Sequence, residues 1–352
     1  MWKSSTVCCL LVALVVGCVH RRMTETSHVA PPSAAPRPSV QVSEIAGGAA
    51  PPANVTKVFR VSQLGKPVTM LQPSAFRIQE DGQPVDSKAV DLRLLPRDEV
   101  IAFHTVLLLD LGPSATKEGK AALSQAATRF VQELRKRQAI SVFAFDGANY
   151  VRFVGEFSRN AVGDKAVVAE RNLPAPSDPA RNLRGAVVEG LKRLESKLKQ
   201  YPQPIRVGSL VVFTMGPDQA NHTPEATLTT QLEQAQNDVY YVSVQAPGNE
   251  NVPRELSRSG QAISPDLAHL SDAFTTITGL VSANMDGHYV ISYCSLARSG
   301  SRKLRVEVDV VSDELEVETG VIESQYDASG FSTGCKTAKL PRLALSKATA
   351  KN

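Results

Sequence analysis

Tryptophan is all but missing from this sequence: of 352 residues only Trp2 is one, and it lies in the leader. The chain therefore lacks the broadest aromatic platforms for stacking sugars or bases. The formal charge of +4 is small and scattered, without the basic stripe that a nucleic-acid surface needs. The histidines His20, His28, His104, His222, His269 and His288 form neither HExxH nor a close pair. There is no CxxC and no Cys/His spacing fit for zinc. No glycine-rich phosphate loop follows a strand, and Ser114, in G-P-S-A-T, lacks the second glycine of a nucleophile elbow. With no nucleophile–base constellation in view, the expectation is a protein that is not an enzyme, has no catalytic residue and carries no cofactor.

A membrane-spanning run is missing too. The apolar stretch at 7–16 is too short to cross a bilayer but suits a signal-peptide core behind Lys3. It ends in Val15-Val16-Gly17-Cys18, which resembles a bacterial lipobox; plain secretion with cleavage elsewhere is the alternative. On the lipobox reading residues 1–17 leave and Cys18 carries a diacylglyceryl-type anchor, whose several chains hold better than one. Val19, rather than an aspartate, follows the cysteine, which by resemblance to enterobacterial sorting implies the outer membrane. The expected location is the bacterial cell envelope, with its periplasmic or surface face left open. Export also governs the cysteines. Cys8 and Cys9 go with the leader, leaving Cys294 and Cys335, which are most simply one disulfide; two separate buried thiols are the alternative. Closing that loop contributes on the order of 3–4 kcal/mol in the chain-entropy model.

What is present falls into blocks. Residues 18–53 are Pro-, Ala-, Ser- and Gly-rich, with almost no large apolar side chains, and read as a lipidated, disordered tether. Residues 54–100 alternate apolar and polar around Gly65-Lys66-Pro67 and Glu80-Asp81-Gly82, which predicts a small antiparallel β unit. From 101 to 294 the pattern switches. Strands are predicted at 104–110, 140–145, 209–214, 239–244 and 289–293, with 150–157 as a hairpin partner. Three-four spacing marks helices through Leu123 and Phe130, Leu183 and Leu191, Leu228 and Leu232, and Leu267 and Phe274. Strands alternating with helices imply an α/β fold, a doubly wound and mostly parallel sheet with one antiparallel edge strand. Residues 295–336 return to two-residue alternation, a β-hairpin extension turning near Ser312-Asp313. Residues 337–352 read as a disordered tail.

Strand 104–110 ends in Asp110-Leu111-Gly112-Pro113-Ser114, a polar turn at the end where open α/β sheets place ligands. Together with the single hairpin and the helix-covered sheet, this resembles a von Willebrand factor type A domain over residues 104–294. "GKPVTMLQPSAFRIQEDGQPV" before it and "HYVISYC" with "RKLRVEVDV" after it resemble a bacterial subset of that family, over about 54–322. The resemblance implies a metal-ion-dependent adhesion site of five positions: an Asp-x-Ser-x-Ser turn, a threonine before the second helix and an aspartate after the fourth strand. Its chemistry suits magnesium, which takes near-octahedral oxygens and leaves one position for a partner's acidic residue. Asp110 and Ser114 match. Gly112 stands at the first serine, Arg181 at the threonine and Met215 at the second aspartate, so the site is degenerate and the expected metal is none. A guanidinium at Arg181 is expected to pair with Asp110 in the cation's place. Asp218, three residues past Met215, is the candidate substitute ligand.

These residues predict a membrane-anchored, non-enzymatic adhesion or scaffold protein that uses the A-type domain without metal. A divalent-metal-dependent adhesion module with a degenerate site is the first alternative, and an envelope enzyme with an unrecognised active site the second. The expected partners are the membrane, through Cys18, and an unidentified protein at the long polar loops around Ser114, Arg181 and Asp218. Nucleic acid is not expected.

Overall fold

The computed structural model describes residues 39–112, 116–161, 166–244, 254–312, 315–335 and 340–346. The leader, Cys18, the tether as far as residue 38 and Ser114 lie outside the described residues. No described helix is long and apolar enough to cross a membrane. The strands are β1 (Val40–Ala50), β2 (Asn54–Gln63), β3 (Lys66–Pro67), β4 (Phe76–Glu80), β5 (Gln83–Val85), β6 (Arg93–Leu94), β7 (Ile101–Asp110), β8 (Ala139–Phe145), β9 (Arg152–Phe157), β10 (Ile205–Thr214), β11 (Asp238–Val244), β12 (Gly260–Ser264), β13 (His288–Cys294), β14 (Ser301–Val311), β15 (Val317–Asp327) and β16 (Ala344–Leu345). The α-helices are α1 (Arg97–Val100), α2 (Lys117–Leu134), α3 (Leu183–Leu198), α4 (Glu225–Gln234) and α5 (Leu270–Asp286).

The central sheet has the order β12-β11-β10-β7-β8-β9, parallel except for the β8–β9 pair. Alternate side chains of β7 go to opposite faces. Leu107 and Leu109 pack with Phe130 of α2 and Phe274 of α5. Val106 and Leu108 pack with Val187 and Leu191 of α3 and Leu228 of α4. A strand buried on both sides reads as a continuous apolar run, which is why "VLLLD" carries no alternation. This is the α/β, doubly wound, mostly parallel layer expected, with β9 as its antiparallel edge.

Four expectations need correction. The last strand of the sheet was expected at 289–293, but β13 pairs antiparallel with β2 and β6, and the parallel edge of the central sheet is β12. The β unit at 54–100 and the hairpin at 295–336 are not separate bodies. β16-β1-β2-β13-β6 forms one sheet and β15-β14-β4-β5 a second, and their facing apolar sides share one core. The rings of Phe59, Phe76 and Tyr289 meet there at centroid distances of 5.7–6.2 Å. The tether does not run to residue 53: β1 pairs with β2 from Val40↔Gln63 to Ala50↔Asn54. Nor is the whole tail free of structure. β16 pairs with β1, and Leu340 and Leu343 pack on a core that also holds Val58, Ile101 and Val290. One close approach explains why β1 looks like a linker. A Cβ on Gly48 would stand 2.5 Å from the Arg342 carbonyl oxygen, so the strand under this segment has to be small.

Cys294 and Cys335 form a disulfide with Cα atoms 5.7 Å apart, tying the end of β13 to the segment beyond β15. The sandwich and the central layer join where α1 leads into β7 and α5 into β13. There Arg97 donates to the Met285 carbonyl and to Asp286, each at 2.7 Å.

Candidate functional site

The carboxyl ends of β7, β8 and β10 present three loops, and each carries a buried or nearly buried aspartate. Asp110 ends β7 and is 1% exposed. Its Oδ1 accepts the Gly112 amide at 2.8 Å, the short local bond of an Asx turn. Its Oδ2 accepts Arg181 Nε at 2.5 Å and the Met215 amide at 2.8 Å, and lies 2.9 Å from Thr214 Oγ1. Arg181 is itself 2% exposed and donates onward to the Pro217 carbonyl at 3.3 Å, while its own carbonyl accepts the amides of Gln219 and Ala220. The guanidinium of Arg181 thus pairs with the Asp110 carboxylate, as expected.

Gly112, Arg181 and Met215 fit one another around Asp110. A Cβ on Gly112 would lie 2.9 Å from Asp110 Oδ1 and 3.4 Å from the Ala180 carbonyl, so a serine there crowds the carboxylate that Arg181 holds. Met215 supplies Asp110 with its backbone N–H while its side chain packs on the apolar core below. A divalent cation does not fit these residues: Gly112 and Met215 offer no side-chain oxygen, and a fixed positive charge already rests on the remaining carboxylate. Among the described residues no group of three or more His, Cys, Asp or Glu is placed to share a metal ion.

Asp218 is not free to substitute. Its Oδ1 accepts the backbone N–H of Arg184 in the first turn of α3, and its Oδ2 accepts the Asn221 amide, both at 2.9 Å. A carboxylate at a helix N-terminus satisfies orphan amides and complements the dipole, so its role there is structural. Arg184 reaches back with Nε 4.0 Å from Asp218 and donates to the Thr223 carbonyl at 3.0 Å. Asn182, ahead of α3, accepts Gly185 N–H at 3.1 Å and donates to the Ala148 carbonyl, binding the helix start to the loop after β8.

Sequence reasoning missed the third acid. Asp146 follows β8 as Asp110 ends β7, and is fully buried. Its Oδ1 accepts Ala148 N–H at 2.9 Å, and its Oδ2 accepts Arg152 Nη2 at 2.7 Å and Ser177 N–H at 2.5 Å. Burial pushes this carboxyl up, but the amides of Ala148 and Ser177, with Arg152 beside them, outweigh it and hold the group below its ordinary value. The parallel between "LLLD" and "FAFD" was the available signal. Three aspartates, Asp110, Asp146 and Asp218, therefore face three arginines, Arg181, Arg152 and Arg184. The loops around Arg181 and Asp218 are sewn together by these pairs, and the exposed residues of this face include Tyr150, Pro176, Ser177, Gln219 and Asn221 with the charged Lys117, Glu118 and Glu225.

A doubly wound α/β layer carried on a β-sandwich, with a self-neutralised carboxyl-end face, is the class these features define. No protein-family model and no curated protein sequence matches the chain. Solved structures similar to it include a von Willebrand factor type A protein from Catenulispora acidiphila, 11% identical, covering 83% of this chain and 74% of that one with a TM-score of 0.43. Proximal thread matrix protein 1 from the mussel byssus, with a zinc-occupied MIDAS motif, is 13% identical over 52% of this chain and 48% of that one, TM-score 0.40; this chain thus spans about half its length. The manganese-loaded TRAP protein of Plasmodium vivax is 9% identical over 68% of this chain and 97% of that one, TM-score 0.36.

Proposed function

We propose that this chain is a non-enzymatic interaction protein, lipid-anchored in the bacterial envelope through Cys18, that binds a protein partner on its carboxyl-end loops without a divalent cation. The observation that carries this reading is the buried Arg181–Asp110 pair, which supplies the positive charge a bound metal supplies elsewhere and keeps it out of reach of the partner. Tyr150, Pro176, Ser177, Gln219 and Asn221 give this face an uncharged, mostly polar patch with one aromatic, beside the exposed Lys117, Glu118 and Glu225, a composition suited to a protein surface. Because the buried aspartates and arginines are spent on one another, they are expected to add little salt dependence to the contact.

A photo-crosslinking residue at Tyr150 or Gln219 in intact cells tests this directly. A single captured protein whose binding to the purified chain is equal in EDTA and in magnesium supports the reading. Binding lost in EDTA overturns it in favour of the metal-dependent module. The anchor is tested separately by mass spectrometry of the mature N-terminus, where an unmodified chain cleaved away from Cys18 rules lipidation out.

A further inference from the structure

We propose that a cleft where the sandwich meets the amino end of the central sheet, remote from the loop face, binds a small carboxylate that carries an apolar tail. The cleft holds about 540 Å3, within the range of small-molecule sites. Met70, Leu71, Leu94, Phe103 and Tyr289 give it an apolar wall. The Tyr289 hydroxyl is already engaged, donating to the Val68 carbonyl at 3.0 Å and accepting the Leu71 amide at 3.2 Å, so it asks for no polar partner there. Met70 is 85% exposed, a soft side chain able to pack on apolar ligands of varied shape.

The charge in the cleft is unbalanced. Among the described residues its lining carries four cations, Arg97, Lys136, Arg137 and Arg159, against two carboxylates, Asp98 and Asp286. Arg159 is matched by Asp98 at 3.1 Å, and Lys136 by Glu133, outside the lining, at 2.7 Å. Asp286 is left to serve both remaining arginines. Arg97 Nη2 donates to its Oδ1 at 2.7 Å, and Arg137 donates one Nη to Oδ2 at 2.9 Å and the other to Oδ1. Arg97 spends its other Nη on the Met285 carbonyl, which holds the guanidinium without cancelling its charge. One positive charge is therefore uncompensated.

The two guanidiniums are held in place, yet each side chain is 33% exposed, so a ligand can reach them. Two like charges on one carboxylate repel each other, and an incoming anion relieves that repulsion. The N–H fork of an arginine matches a planar carboxylate. A single excess charge calls for a monoanion, and the apolar wall beside it for a tail that gains by leaving water. Charge and wall together define the ligand's chemistry.

Titrating octanoate into the isotope-labelled full chain, read by amide NMR shifts, tests the site. Octanamide, with the same tail and no charge, and acetate, with the same charge and no tail, are the controls. Saturable shifts at Met70, Phe103 and Arg137 are expected with octanoate, and binding weaker by about tenfold or more with either control. Arg137→Met is expected to weaken octanoate about tenfold and leave octanamide unchanged, whereas Arg137→Lys keeps most of the affinity. Asp286 keeps Arg97 in Arg137→Met and keeps Arg137 in Arg97→Met, so neither variant strands the carboxylate, and the second replaces the first if that fails to fold. Shifts that do not saturate overturn the proposal. So does octanamide or acetate bound as tightly as octanoate, or octanoate binding unchanged in the folded methionine variant.

Discussion

Arg181 Nε lies 2.5 Å from Asp110 Oδ2, and the two side chains are 3% and 1% exposed. Opposite charges this far from water are costly to separate but not costly to replace together. Arg181→Met, which leaves the carboxylate buried and unpaired, is expected to destabilise the protein by about 3–5 kcal/mol. Asp110→Leu combined with Arg181→Met is expected to recover much of that loss. Urea denaturation of the variants checks it, and a double variant as unstable as the single one contradicts the account.

Gly112 and Arg181 are expected to be coupled. Gly112→Ser places an atom 2.9 Å from Asp110 Oδ1 and should cost about 1–3 kcal/mol. In an Arg181→Thr background the carboxylate is released from the guanidinium and can swing aside, so the same serine should cost less. A double-mutant cycle with a coupling above about 0.5 kcal/mol supports this; additive losses show the two positions to be independent.

Two buried histidines set the acid side of the stability profile. Burial lowers both His104 and His288 from 6.5 to about 4 in the folded chain. The unfolded chain then binds more protons below pH 6.5, so stability is full above that value and falls as pH drops towards 4. Each shift corresponds to a loss on the order of 3 kcal/mol across that window. Denaturation midpoints measured from pH 7.5 to 4 should fall steeply, and His288→Gln should flatten the curve. An unchanged slope in that variant excludes His288 as a source.

Reducing the disulfide, or replacing Cys294 and Cys335 by alanine, releases a loop with a sequence separation of 41. The expected loss is about 3–4 kcal/mol, read as a lower melting temperature in reductant. Equal melting in oxidised and reduced protein goes against it.

Gly48→Ala should act locally. Its new methyl would meet the Arg342 carbonyl at 2.5 Å and push residues 340–346 off β1. Faster exchange at the Ser346 amide, which donates to the Ile45 carbonyl at 2.9 Å, and earlier proteolysis after Arg342 are the expected readouts.

The central layer was legible because periodicity and burial agree there: the helix positions Leu123, Phe130, Leu183 and Leu191 are all buried, as their spacing requires. The sandwich was not. In β13, Tyr289, Ile291 and Tyr293 enter one core and Val290 another, so "HYVISYC" reads like any strand covered on both faces and does not say which sheet owns it. β1 hid behind its glycines and alanines, whose smallness reflects close backbone approach rather than lack of order. At the site, the Asp110 turn and the place of Arg181 were readable from the alignment of a motif. The Asp146–Arg152 pair escaped because neither residue belongs to that motif, and Asp218 drew attention as a ligand when its partner is a helix amide.

The loop face and the Arg97–Asp286 junction lie at opposite ends of β7, which has a mechanical consequence. Any pull on the loops would load the central strands lengthwise and reach the sandwich through two neighbouring crossings, α1 into β7 and α5 into β13. β13 then pulls along its pairing with β2, from His288↔Arg60 to Cys294↔Asn54, so the rungs are sheared together rather than unzipped in turn. The far end of that strand is bolted by the Cys294–Cys335 bond. The route from the loop face to the sandwich is thus short, and a covalent tie closes its far end.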